Sequence, residues 1–313
     1  MTTSASAMMS SKLQPIIHTH FERVTGTWQY IVADPSSNHA VVIDPVLDFD
    51  PTKNAILTTS ADLLLSSVAE NGYTVDRILE THAHADHITA AHYLRTQLGM
   101  KQSSVPQVCI GEGISSVQAL FAKKYGLPEN EWRNSFDHTF ADGEKFRIGA
   151  LEAQVVHLPG HTPDHVGYLV GDNVFCGDSI FNPDIGSART DFPQGSASSL
   201  WQSMCKLLSL PPHYRLYTGH DYPPKDRVHD GTEGQPRPFA TVEEHRQNNK
   251  HVKDGTSEED FVSWRTERDA SLANPRLIHQ SLQFNIRAGR PPTISPDGTR
   301  VLHMPLDVPE HVF

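Results

Sequence analysis

Between Thr81 and His87 the chain reads THAHADH, three histidines and an aspartate in seven residues, directly after the apolar run Tyr73–Leu79. Imidazole and carboxylate together make a transition-metal donor set. In an extended segment His82, His84 and Asp86 alternate and face one way, while His87 opens the following helix near its N-terminus. A solvated polar turn would explain this stretch alone and would demand nothing of the rest of the chain. A metal centre demands further donors at other strand ends, where a rigid sheet can make loops converge.

Such donors are present. LPGHT sets His161 after the strand Ala153–Leu158, with Pro159 and Gly160 forcing a turn. FCGD sets Asp178 at the end of the next hairpin, and YTGH sets His220 at the end of the last strand. Each of these segments ends in a turn with a ligand-type residue beside it, which favours a metal site over a chance turn. The other histidines carry less. His92 falls on the next helix at the wrong angle to rejoin the cluster, His157 reads as a packed strand residue, and His165 is left open by its closeness to the site. His213, His229, His245, His251, His279 and His303 follow no ligand pattern.

The elements that must hold these turns alternate at first. HFERVTGTWQYIVAD and HAVVIDP read as two strands joined around Pro35–Asn38. Pro51 to Asn71 reads as a helix with Ala55, Ile56, Leu63, Leu64 and Val68 among its apolar positions, stopped by Asn71-Gly72. A strand (Val75–Leu79), the cluster, a helix to Leu98, a strand (Gln107–Ile110) and a helix (about Gly113–Tyr125) follow. From His138 the texture becomes strand-like, with turn chemistry at Ala141-Asp142-Gly143 and Gly171-Asp172-Asn173. Ser198 is placed to cap a helix carrying Leu200, Trp201, Met204, Leu207 and Leu208. LYTGHDY is the last strand of the main part. Residues 223–238 form a loop or linker, followed by helices over Val242–Lys250 and Glu258–Leu272, the acidic run Ser257-Glu258-Glu259-Asp260 serving as a helix cap, and a Pro-rich tail. The expected domains are a disordered start (1–14), a main domain (15–222) and a C-terminal extension packed on it (223–313).

Composition sets the bounds. The chain has 313 residues, 37% hydrophobic and 20% charged, enough for a globular domain with a substantial core. A net charge of −11 argues against a phosphate-backbone binder, so no nucleic-acid partner is expected. No apolar run approaches the roughly 20 residues of a membrane span, so no membrane partner is expected either. MTTSASAMMSSK lacks an apolar signal core; it faintly resembles a transit peptide, but with Lys12 its only basic residue it reads as a cytoplasmic start, with a mitochondrial one as the alternative. Cys109, Cys176 and Cys205 are odd in number and far apart, which fits a reducing compartment and three small core residues.

THAHADH, PGHT, GD and GH, in this order and at these spacings, resemble the metallo-β-lactamase fold family over roughly His20 to Tyr222. The resemblance implies an α/β fold, an αββα sandwich of two mixed sheets with metal at the sheet edges and a C-terminal helical and loop extension. Within the family, VVIDPVLD, HADHITA, ARTDFPQG and GHDY look most like the persulfide dioxygenases, the group of the ethylmalonic encephalopathy protein, and the extension resembles their longer bacterial-type branch. That group implies a single Fe(II) per chain on His82, His161 and Asp178, a facial triad with three open positions. It implies glutathione persulfide and O₂ as reactants, with sulfite and glutathione as products. His84, Asp86, His87 and His220 then become outer residues that orient the ligands. The alternative is a glyoxalase II-like thioester hydrolase, in which all seven residues bind two zinc-type ions. Arg189 is either a structural partner of Asp191 or a fork for a glutathione carboxylate. Tyr222 is a core residue or a substrate contact, with core favoured. A homo-oligomer is compatible with all of this.

Overall fold

The computed structural model describes residues 13–229, 231–306 and 308–309. The disordered start expected over 1–14 lies outside them as far as residue 12; Gln14 is described, and its Nε2 donates to Asp172 Oδ2 at 2.9 Å. In chain order the first elements are β1 (Ile16–Glu22), β2 (Thr27–Ala33), β3 (His39–Ile43), β4 (Val46–Asp50), β5 (Ala55–Leu57), α1 (Thr59–Glu70), β6 (Thr74–Leu79), β7 (Ile88–Thr89), α2 (Ala91–Lys101), β8 (Gln107–Gly111), α3 (Ile114–Tyr125), α4 (Glu129–Trp132) and β9 (His138–Phe140). Then come β10 (Lys145–Ile148), β11 (Leu151–His157), β12 (Val166–Val170), β13 (Asn173–Gly177), α5 (Ala197–Leu208), β14 (Arg215–Thr218), β15 (Val228–His229), β16 (Thr232–Glu233), β17 (Phe239–Thr241), α6 (Val242–Asn248), α7 (Glu258–Asp269) and α8 (Ile278–Asn285).

Two mixed six-stranded sheets face each other, ordered β1-β2-β3-β6-β8-β9 and β10-β11-β12-β13-β14-β17. Strand alternation shows why they stack. Trp28, Tyr30 and Val32 of β2 point between the sheets and meet Val155, Tyr168 and Phe175. Ile31 and Ala33 point outward under α1 and α2, against Leu64, Val68, Leu94 and Leu98. On the far side, Val174, Cys176 and Leu216 pack under Leu200, Met204 and Leu207 of α5. The result is the four-layer αββα arrangement, with each sheet buried on both faces. Residues of the extension join these same clusters: Val252 and Phe261 the α5 side, Phe284 and Ala288 the α1–α2 side.

Local departures from expectation have local causes. HFERVTGTWQYIVAD is a hairpin of two strands, β1 and β2, because the Glu22 carboxylate accepts from Val24 N, Thr25 N and Thr25 Oγ1 and Gly26 takes φ 74. The helix expected from Pro51 begins only at Thr59. Asp50 accepts from Thr52 N and Lys53 N, which closes a turn, and Ala55 and Ile56 pair with β4 instead. Leu63 therefore faces solvent while Leu64 and Val68 are buried. The cap of α5 is Ser196, which accepts from Ser199 N at 3.2 Å, rather than Ser198, whose hydroxyl donates to Glu258. Ser257 caps α7 through Asp260 N. The tail contains a helix, α8, that its prolines concealed. His157 is exposed at the end of β11, and Cys205 is exposed on α5, so neither is a core residue; Cys109 and Cys176 are buried thiols.

Candidate metal centre

All the expected donors leave the sheets at one edge. His82, His84, Asp86 and His87 follow β6, His161 follows β11, Asp178 follows β13, and His220 follows β14. The two sheets are stitched at this edge, where Trp28 N donates to Gly219 O at 2.8 Å and Thr27 bridges His220. Gly219 is required by space, because a Cβ there would sit 2.4 Å from Asp178 Oδ1. Gly160 sits at φ 141, and a Cβ there would meet the Leu200 backbone at 2.2 Å.

Donor atoms of His82, His161 and Asp178 lie within 4.8 Å of one another, as do those of His84, Asp86 and His87. Hydrogen bonds fix which nitrogen faces inward. The one proton of the Thr81 hydroxyl goes to Asp44 Oδ2 at 2.8 Å, so Oγ1 accepts from His82 Nδ1–H at 3.0 Å. His82 Nε2 is then a lone pair, buried and without a hydrogen-bond partner. His161 Nδ1–H donates to Arg189 O at 2.7 Å, leaving Nε2 as a lone pair 3.6 Å from Asp178 Oδ2. His87 Nε2 is likewise buried without a partner. Buried lone pairs converging with a carboxylate are costly unless something electropositive lies among them, so these residues fit a metal ion.

Charge follows the same layout. Burial, then the neighbouring His84, His165 and His161 rings, holds His82 well below the usual 6.5, as a neutral donor. Burial and His84 likewise push His87 down to about 3. Burial alone would lower His84, but the carboxylates of Asp44 and Glu80, at 3.1 and 3.3 Å from its Nε2, raise it to about 10. His220 places Nδ1 2.7 Å from Asp178 Oδ1 and Nε2 2.7 Å from Asp86 Oδ2. Burial opposes its protonation, yet the two acids lift its pKa well above 6.5, and it holds both acids below their ordinary range.

His165, left open by the sequence, lies at the site, and other residues around it escaped the sequence reading. His165 stacks on His82 with centroids 4.7 Å apart, and its Nε2 accepts from Asp178 N at 3.0 Å. Asp164 Oδ2 accepts from Ala83 N at 2.8 Å. Asp44, Glu80, Thr81 and Thr27 complete the shell. Asp44 had a legible signal: it ends a strand in VVID, the same strand-end position as the expected donors.

A cleft of about 450 Å³ opens over Asp86, His161 and Asp178. Its far wall comes from the extension: Lys250, His251, Trp264, Arg265 and Arg268. His251 therefore lies beside the site although its spacing gave no hint of it. Tyr222 is 52% exposed on this wall with its ring parallel to His220, so it is not a core residue. Arg189 borders the cleft, where its guanidinium donates to the Asp191 carboxylate and to Ala273 O at 2.9 Å. A second cavity of about 520 Å³, between α2 and the tail, contains none of the expected donors.

The family model of the metallo-beta-lactamase superfamily matches residues 23–220. The chain is 42% identical over 297 residues to the beta-lactamase hydrolase-like protein of Xylella fastidiosa (strain Temecula1 / ATCC 700964), over 95% of this chain and 66% of that one. It thus spans just under two thirds of that relative's length. It is 31% identical over 272 residues to the mitochondrial persulfide dioxygenase ETHE1 of Homo sapiens, over 86% of this chain and 87% of that one. Among solved structures, the crystal structure of ETHE1 from Myxococcus xanthus matches with a TM-score of 0.68 at 30% identity, covering 88% of this chain and 100% of that one.

Proposed function

This chain belongs to the metallo-beta-lactamase superfamily, and we propose that within it the chain is a persulfide dioxygenase that uses one Fe(II) held by His82, His161 and Asp178. The observation that carries the reading is His220. Both of its ring nitrogens are engaged, by Asp86 and by Asp178, so the Asp86 carboxylate is tied to His220 while Asp178 still turns its other oxygen toward His161. The two imidazoles of His82 and His161 and the Asp178 carboxylate make a donor set suited to a single metal.

An Fe(II) ion held by those residues would supply the redox chemistry that joins a persulfide sulfur to O₂. Glutathione persulfide, O₂ and water then give glutathione and sulfite, with two sulfite oxygens drawn from O₂ and one from water. The chain's own residues do the rest. Thr81 and Arg189 O fix the His82 and His161 tautomers, while His165 holds the Asp178 main chain. Lys250 and Arg268 on the cleft wall are the cations suited to the carboxylates of glutathione, and Phe181 and Trp264 supply apolar surface. Three free cysteines suit a reducing compartment.

Metal analysis beside an oxygen electrode tests the reading. About one iron per chain, with O₂ consumed only when glutathione persulfide is added, is the expected result. Two zinc ions per chain with thioester cleavage would replace it by the glyoxalase II-like reading, which the second donor group at His84, Asp86 and His87 supports.

A further inference from the structure

We infer that Asn285, on the last turn of α8, is a positioning residue for the metal-binding loop: its side-chain amide sets the backbone of His84–Thr89 from behind. The two Nδ2 hydrogens go to His84 O at 2.7 Å and His87 O at 2.8 Å, and Oδ1 accepts from Thr89 N at 2.9 Å. The amide has only one workable orientation, since exchanging its O and N would set oxygen against two carbonyl oxygens. All of these partners are main-chain atoms of the segment carrying Asp86 and two candidate ligand rings. Asn285 is 3% exposed and lies well beyond residues 23–220, the stretch matched by the family model.

The helix is built to deliver this amide. Leu282 and Ile286 pack into the cluster around α3 with Ala83 and Ala85, and Phe284 and Ala288 pack into the cluster of α1 and α2. Gln118 Nε2 donates to Ile286 O at 2.8 Å, and the Arg287 guanidinium meets Glu131. Wedged between two clusters, α8 cannot slide, so Asn285 acts as a rigid template. Without the amide, two buried carbonyls and one N–H lose their partners, and the loop must turn to find others. That turn would displace the ring nitrogens and the Asp86 carboxylate by fractions of an ångström, which a metal site registers as lost affinity.

The inference rests on the reading of the cluster as a metal site, with one ion or two, and does not depend on the dioxygenase assignment. Cobalt(II) uptake by the full-length metal-free protein tests it, read from the visible absorption of bound cobalt in competition with a chelator. Asn285→Leu removes all three bonds at similar volume; Asn285→Asp keeps the acceptor for Thr89 N and removes both donors. Both are expected to weaken cobalt binding by roughly 10–100-fold and to alter its absorption spectrum. Gln283→Ala, on the same helix but bonded to His279 O and His303 O, is expected to leave both unchanged. If Asn285→Leu does not fold, Asn285→Asp decides alone. Unchanged affinity in Asn285→Asp, or an equal loss in Gln283→Ala, overturns the inference. No cobalt uptake by the unaltered chain overturns the metal reading itself and this inference with it.

Discussion

Asp178 Oδ1 and His220 Nδ1 lie 2.7 Å apart across the ends of two parallel neighbours, β13 and β14. Asp178 turns its other oxygen toward His161, so one carboxylate serves both the hydrogen-bonded acid pair and the proposed triad. That double duty separates it from Asp86, which contacts His220 but not the triad. Asp178→Ala is therefore predicted to abolish iron loading, while Asp86→Ala weakens the site without emptying it. Iron content per chain after identical purification distinguishes them, and equal iron content in the two variants would contradict the assignment.

Gly219 offers a steric version of the same test. A methyl group there collides with Asp178 Oδ1, and the main chain is held by Gly219 N to Gly177 O at 2.8 Å, so the carboxylate is the part that must move. Gly219→Ala should cost about 1–3 kcal/mol of stability and lower iron occupancy. At Gly231 a Cβ meets nothing within 4 Å, so its φ of 78 is the only obstacle, and Gly231→Ala should leave iron content unchanged. Iron analysis with thermal melts reads both.

The cleft wall makes a charge prediction. Lys250 and Arg268 face the proposed substrate from the extension, away from the metal donors. Arg268→Glu should raise KM for glutathione persulfide roughly tenfold, about 1.4 kcal/mol, with kcat little changed. Added salt should narrow the difference from the unaltered enzyme. A fall in kcat at constant KM would place Arg268 outside substrate binding.

Acid sensitivity should originate partly at a histidine outside the donor cluster. Burial, with Arg237 adding to it and Glu244 opposing, keeps His245 neutral and pushes its pKa down to about 3. The unfolded chain takes up a proton there below pH about 6.5 and the folded chain does not. Stability from this group is thus complete above 6.5 and falls by up to about 1.4 kcal/mol per pH unit from there toward 3. Melting temperature should drop between pH 7 and 5, and His245→Gln should flatten that drop; an unchanged slope would refute the argument.

Legibility in the sequence follows how local each signal is. His82, His84, Asp86 and His87 share one turn, and His161, Asp178 and His220 each sit beside a turn-forming glycine or proline, so residue type and punctuation announced them. His165 stayed undecided and Asn285 was hidden because their roles depend on the packing of distant elements: a ring stacked on His82, and an amide 201 residues along the chain from His84. The Arg23–Gly26 hairpin and the late start of α1 were missed for a different reason. There, carboxylates of Glu22 and Asp50 bind main-chain N–H groups and redirect segments whose apolar residues would suit other structures. Tyr222 looked like core because aromatic residues usually are, but the cleft leaves its ring open to solvent.

The donors are divided between two sheets that stack face to face. Neither half of the polypeptide, if severed in the turn at Asp142-Gly143, would carry a complete coordination set: one piece keeps His82 and the other keeps His161 and Asp178. Ion capture would thus report whether the two pieces have found each other, and release of the ion would wait on their parting.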